Sequence, residues 1–384
     1  MKLIFRMQKN NRYSLIPLIS AVHSRVKDVQ IFLANDVREI LKIEPPAVVA
    51  YSFMSFDLDQ ISKEIQKLKV LGYTLIAGGP HVTARPFKSL ELGFHHIFIG
   101  DGEENLIRFL NGEQDVIFDG LKNRINLDDY PPFCVDLDLF MPLEITRGCV
   151  FDCAYCETSL IGGRKPRHRS IESIIHYCEL GLKKNKYIAR FISPNSFGYG
   201  SIDGIKPNVN AIDTMLFELK KIGMREIYFG TFPSDVRPES VSDDLLKAIK
   251  KYVNNRSITI GAQSGSERVL KKIKRTHSVE NLLKAIDLIL SNDFTPYVDF
   301  IFGFPFETDE DRYETLNLID KLVRIGCKIH AHTFMPLPGT ELEQIGSAVI
   351  PEWFRKRIAQ LSSQGKLDGY WEKQRILSQK LAGR

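Results

Sequence analysis

Apolar residues in the first 130 positions fall in short, nearly unbroken runs separated by stretches of helical period. The runs Lys2–Arg6, Val29–Leu33, Ala47–Ser52, Thr74–Ala77 and His96–Ile99 read as strands. Leu58, Ile61, Ile65, Leu68 and Leu71 mark one face of a helix between two of them. Strands that are apolar on both faces, with helices between them, argue for a doubly wound parallel sheet covered on both sides. In such sheets a ligand lies beyond the carboxyl ends of the strands. There the chain places Ser52, Gly78-Gly79-Pro80-His81 and Gly100-Asp101-Gly102-Glu103. Glycine lets a ligand approach the backbone, although tight strand-to-helix turns need it too.

Pro131-Pro132 interrupt this series and suit a linker. A second alternation follows, with strands at Leu143–Thr146, Ile188–Ile192, Glu226–Phe229, Ser257–Ala262, Tyr297–Phe302 and Ile329–Phe334. Helical patterns separate them at Ile171–Leu182, Ala211–Ile222, Val241–Val253, Val279–Leu290 and Asp309–Ile325. Six β/α units predict a partial (β/α)6 barrel of TIM type, with functional groups at the carboxyl ends of its strands. The last forty residues show no strand pattern and read as helical. The expected organisation is α/β throughout: a Rossmann-like domain over 1–130, a barrel over 131–345 and a helical extension over 346–384.

Composition narrows the class. Of 384 residues, 43% are hydrophobic and 26% charged, which excludes a disordered chain. No run of about 18 apolar residues exists to span a bilayer, and the first apolar run is too short for a signal peptide. No membrane partner and a cytoplasmic location are therefore expected. The 52 Lys/Arg against 47 Asp/Glu leave a net charge of +5, all of which sits between Pro351 and Arg384. Such a run is usually a solvated helix face, so a nucleic-acid partner is not expected.

Of six cysteines, Cys134, Cys178 and Cys327 are scattered, while Cys149, Cys153 and Cys156 crowd one loop after the first barrel strand. Three thiolates in eight residues can wrap one inorganic centre. A structural zinc ion would want a fourth ligand, for which His168 and Cys178 are the local candidates. A four-iron cluster on three cysteines instead keeps one iron open.

Cys-x-x-x-Cys-x-x-Cys after the first strand of a six-unit barrel resembles the radical S-adenosylmethionine (SAM) superfamily, over roughly 142–341. Arg147-Gly148 and Tyr155 match the usual surroundings of the cysteines. Gly261-Ala262-Gln263-Ser264-Gly265-Ser266-Glu267 looks like the fourth-strand segment that meets SAM. Asp299–Thr308, with Gly303, looks like the fifth-strand segment near the adenine, and Pro336–Thr340 like the motif closing the sixth unit. The resemblance implies a [4Fe-4S] cluster on Cys149, Cys153 and Cys156, with SAM chelating its open iron. One electron from a donor such as flavodoxin or ferredoxin would cleave SAM to methionine and a 5′-deoxyadenosyl radical. Tyr155, Gln263, Ser264 and Gly303 would contact SAM. Family members commonly carry a Gly-Gly-Glu-like segment after the second strand; Ser193-Pro194-Asn195 stands here, so Ser193 and Asn195 would substitute without a carboxylate. Phe306 also stands where glycine is common.

The first domain resembles the cobalamin-binding module of cobalamin-dependent radical SAM enzymes, through Val48–Ser52, Ile76–His81 and Phe98–Glu103. Ser52, Gly78, Gly79, His81, Gly102 and Glu103 are the implied contacts. The module's usual Asp-x-His-x-x-Gly signature is missing, and His81 either ligates cobalt or is a loop histidine satisfied by backbone hydrogen bonds. The implied reaction is methyl transfer to an unidentified substrate. Two alternatives remain: a tRNA methylthiotransferase-like enzyme, against which stand the lack of any cysteine before Cys134 and the helical end, and a non-catalytic iron–sulfur or cobalamin sensor. His330 and His332 alternate on the sixth strand and share a face, either as acid–base groups or as packed histidines. Arg164, Lys165, Arg167 and Arg169 either hold an anion or flank a helix capped by Ser170. Asp235 and Arg237 are either site residues or a surface pair.

Overall fold

The computed structural model describes residues 1–383, which divide into two compact units: 1–143 with 160–163, and 144–159 with 164–383. No helix in them is long and apolar enough to cross a membrane.

The first unit is built on six parallel strands, β1 (Lys2–Arg6), β2 (Gln30–Ala34), β3 (Val48–Ser52), β4 (Thr74–Gly78), β5 (His96–Gly100) and β6 (Ile117–Gly120), in the order β2-β1-β3-β4-β5-β6. Successive side chains enter opposite cores. Ile4, Val49, Leu75 and Ile97 pack on one face, and Leu3, Phe5, Val48, Ala50, Ile76 and Phe98 on the other. That two-sided burial is why these strands read as unbroken apolar runs. The helix Leu58–Val70 buries Ile61, Ile65 and Leu68, whereas Leu71 lies beyond its end and is exposed. β6 escaped the sequence pattern because it has four residues, one of them Asp119. The strand order reverses between β1 and β3. At that point Asn11 Nδ2 donates to both Arg6 O (3.0 Å) and Ser52 O (2.9 Å), tying the two carboxyl ends together.

β7 (Leu143–Glu144), where the chain passes from the first unit to the second, is shorter than expected. After Ile145, whose N–H still bonds Ile192 O, the chain turns so that β8 (Thr146–Arg147) pairs antiparallel with β9 (Arg167–His168). β10 (Ile188–Ile192) and β11 (Glu226–Tyr228) complete one sheet; β12 (Ser257–Gln263), β13 (Thr295–Phe302) and β14 (Lys328–Thr333) form the next. Thr259 N→Gly230 O and Val236 N→Thr259 O, both 2.8 Å, join them. Six strands thus follow in chain order, as in a partial barrel. The tail is not purely helical: β15 (Leu367–Asp368) adds to β14 between the helices Glu352–Ser363 and Trp371–Ala382.

Candidate functional site

The cysteine loop starts where β8 ends. Gly148 takes φ +92°, a left-handed turn that glycine tolerates. Cys156 N–H then bonds Cys153 O at 3.0 Å, closing the turn around Ala154 and Tyr155. Cys153 is buried, and burial together with the neighbouring thiols pushes the Cys149 and Cys156 thiols above their ordinary range. Thr158 binds Cys156 through its N–H (3.4 Å) and lies 3.2 Å away through Oγ1.

Two guanidinium groups face this loop. Arg237 Nη1 donates to Cys153 Sγ at 3.3 Å, and its guanidinium lies 3.4 Å from the centre of the Phe151 ring. Arg275 Nη1 is 3.8 Å from the same sulfur and 3.4 Å from Tyr155 Oη. Glu239 binds Arg237 at 2.7 Å and also accepts from Thr276. Burial opposes its ionisation, yet Arg237 holds its carboxyl down at about 2. Burial and the Arg275 charge press His277 down to about 3, so that imidazole is neutral. Arg237 is thus no surface partner of Asp235. The sequence reading missed Arg275, Glu239, Thr276 and His277. The run Lys274-Arg275-Thr276-His277 after the helix Glu267–Lys272 was the available signal.

At the end of β12 a bulge between Gly261 and Gln263 puts Gln263 at φ +70°. Arg275 Nη2 donates to Gly261 O at 2.6 Å, and Gln263 Oε1 is buried without a partner. Other predicted positions are engaged internally. Ser264 is fully buried, 3.3 Å from Thr315 Oγ1, and accepts from Ser266 N. Ser193 Oγ accepts from Asn195 N, while Asn195 holds Ser240 Oγ (2.8 Å) and Arg237 N (3.3 Å). Gly303 has φ +86°, and a Cβ there would meet Ile350 at 2.7 Å. Arg164 pairs with Asp152; Arg169 is buried against Tyr177, and Ser170 caps the helix Ile171–Leu182, accepting from Ser173 N.

In the first unit Ser52 Oγ lies 2.9 Å from Ser14 Oγ at the strand-order switch. Gly79, at φ +93°, presses against it: a Cβ would sit 2.6 Å from Ser52 Oγ. Gly78 faces Phe98 O, and Gly102 faces Leu18, where a Cβ would have 3.2 and 3.0 Å. Glu103 is buried in the first turn of the helix Glu103–Leu110. His81 is buried, its Nδ1 2.9 Å from Ser55 Oγ and its ring stacked on Phe53. It lies in a short helix, Pro80–Ala84, and its partner there is a side-chain hydroxyl.

Residues 143–319 match the model of the radical SAM superfamily. The tRNA-2-methylthio-N(6)-dimethylallyladenosine synthase of Thermoanaerobacter pseudethanolicus is 30% identical over 60% of this chain and 49% of its own length. The chain spans about half the length of the first curated relatives it matches. Among solved structures, the radical SAM methyltransferase TsrM from Kitasatospora setae, with cobalamin and a [4Fe-4S] cluster bound, aligns over 89% of this chain and 77% of its own at TM-score 0.65 and 13% identity. The cobalamin-dependent SAM radical enzyme OxsB aligns over 90% and 54% at TM-score 0.60 and 17% identity. At such identities these two speak for the fold. The cysteine loop and the strands from β7 to β13 lie in residues 143–319, the segment that matches the radical SAM superfamily, whose members use a [4Fe-4S] cluster and SAM.

Proposed function

We propose that this chain is a radical SAM enzyme that performs cobalamin-dependent methyl transfer to a substrate not yet identified. When bound, the cluster and SAM supply a 5′-deoxyadenosyl radical and cobalamin supplies the methyl group. Cys149, Cys153 and Cys156 hold the cluster. Arg237 and Arg275, both on Cys153, are the cations available to the SAM carboxylate. Gln263, with its unpartnered Oε1, receives a SAM hydroxyl, and Tyr155 lies against Arg275. Ser193, Asn195, Ser264 and Gly303 hold the surrounding loops in place. In the first unit Ser52, Gly78, Gly79, His81, Gly102 and Glu103, at the carboxyl ends of the strands, are the residues that would hold cobalamin, with Gly79 packed on Ser52 and His81 held by Ser55 and Phe53. The observation carrying the reading is a three-cysteine loop with two guanidinium groups on its central thiol, inside the segment that matches the radical SAM superfamily. After anaerobic reconstitution the protein is expected to be brown, to show cobalamin bands when supplied with cobalamin, and to form 5′-deoxyadenosine from SAM when reduced. Cys153→Ala should abolish that product; persistence, or colourless protein with stoichiometric zinc, overturns the reading.

A methylthiotransferase reading is favoured by the 30% identity to such a synthase. Methylthiotransferases hold a second cluster on three cysteines of their first domain, and residues 1–133 contain none. Methyl transfer is therefore the better reading.

A further inference from the structure

β13 and β14 set three metal-binding side chains against one another, apart from the cysteine loop. Asp299, His330 and His332 each offer one donor atom, all within 4.8 Å of one another. Strand alternation puts both imidazoles on one face, and Asp299 is the register partner of His330. His330 Nδ1 lies 3.0 Å from Asp299 Oδ1, and the two imidazole centres are 4.4 Å apart. A second observation points to a missing cation. Asp235, on the loop after β11, lies within electrostatic reach of Asp299 and His330. Its Oδ1 is sealed from solvent with no hydrogen-bond partner, an arrangement that is costly for an ionised carboxylate unless a positive group completes it.

We propose that Asp299, His330 and His332 bind one divalent first-row transition-metal cation, with Asp235 as an adjoining second carboxylate. Two imidazoles with carboxylates suit iron(II), manganese, cobalt or zinc, and are a poor set for calcium. The strands fix the donors rigidly. Gln374, held by Thr333 N→Oε1 at 2.9 Å, brings its amide Nε2 to 3.3 Å from His332 Nδ1. An amide donor there disfavours the tautomer in which Nδ1 carries the proton and Nε2 is bare. Gln374→Glu removes that conflict and supplies the carboxylate that usually supports a metal-bound histidine.

The test is Co2+ titration of the full chain carrying Cys149→Ser, Cys153→Ser and Cys156→Ser, followed by calorimetry and visible d–d absorbance. One equivalent is expected, weakened at least tenfold by His332→Ala and by Asp299→Asn, and tightened about tenfold by Gln374→Glu. No Co2+ binding, or binding unaltered by both of the first two substitutions, overturns the proposal. Should the triple-serine chain fail to unfold cooperatively, cobalt content by mass spectrometry on cluster-loaded protein, with and without Asp299→Asn, decides it by the same criteria. Neither readout needs SAM cleavage, so failure here leaves the proposed function untouched.

Discussion

A single missing Cβ shapes the end of β3. Gly79 has φ +93° and sits where an added carbon would be 2.6 Å from Ser52 Oγ and 3.0 Å from Phe53 N. Two costs would therefore combine on substitution, left-handed strain and a clash with backbone. Gly112 separates them, because its φ is +104° and nothing lies within 4 Å of a Cβ there. Gly112→Ala is expected to lose about 1 kcal/mol from strain, and Gly79→Ala visibly more. Urea unfolding of both variants checks the order, and equal losses would mean that the contact with Ser52 is not tight. The pair Ser52 and Gly79 could be picked out from the sequence because strand ends in a parallel sheet are predictable. The contact between them could not, since it depends on the strand order β1-β3-β4.

The segment joining β13 to the helix Asp309–Arg324 shows how a helix start organises a loop. Thr308 and Asp311 form a reciprocal cap, and Asp311 also accepts from Ser266 and Arg268, which ties the helix to the end of β12. Glu307 is shut into this corner, its Oε2 accepting from Gly303 N at 3.1 Å. Burial pushes its carboxyl from 4.5 up to about 8, and Arg312 at 3.8 Å only partly opposes this. Between those two values the folded chain keeps a proton that the unfolded chain has released. The stability contributed by Glu307 is therefore whole below pH 4.5 and is lost as pH rises through 8. Glu307→Gln is expected to remove that fall. The stability of the native chain relative to the variant should drop between pH 5 and pH 8, read as urea midpoints, and parallel curves would rule the assignment out. The cap is legible as Thr-x-x-Asp before an apolar period. The burial of Glu307 is not, because no local spacing marks a carboxylate that folds back onto Gly303 N. Arg275 escaped for a similar reason: the turn at Lys274, with φ +57°, brings it back to Cys153 across 122 positions.

For the molecule as a whole, most strands were legible because burial on two faces leaves a strong apolar signature, and the cysteine loop because its spacing is local. The tail is helical over Glu352–Ser363 and Trp371–Ala382, as its pattern reads, and its charges form part-exposed pairs, Arg355 and Arg375 with Glu372 and Arg357 with Asp320. Its strand is two residues long, below what any periodicity can reveal. Yet β15 hydrogen-bonds along β14 at Ile329 and His330, Val349 N bonds Gly303 O, and Thr333 is held by Gln374 and Trp371. Phe354, Ile358, Leu361 and Leu367 are buried, Phe354 edge-on to Phe302. Burying four such side chains contributes roughly 1.5–3 kcal/mol each, a sum comparable with the entire net stability of a typical domain, about 5–15 kcal/mol. Removing residues 346–384 would also expose one side of β14 as an open edge. The truncated chain is therefore expected to accumulate in aggregates and to lack a cooperative thermal transition. A soluble product melting at the temperature of the full chain would show that the second unit is complete without its tail.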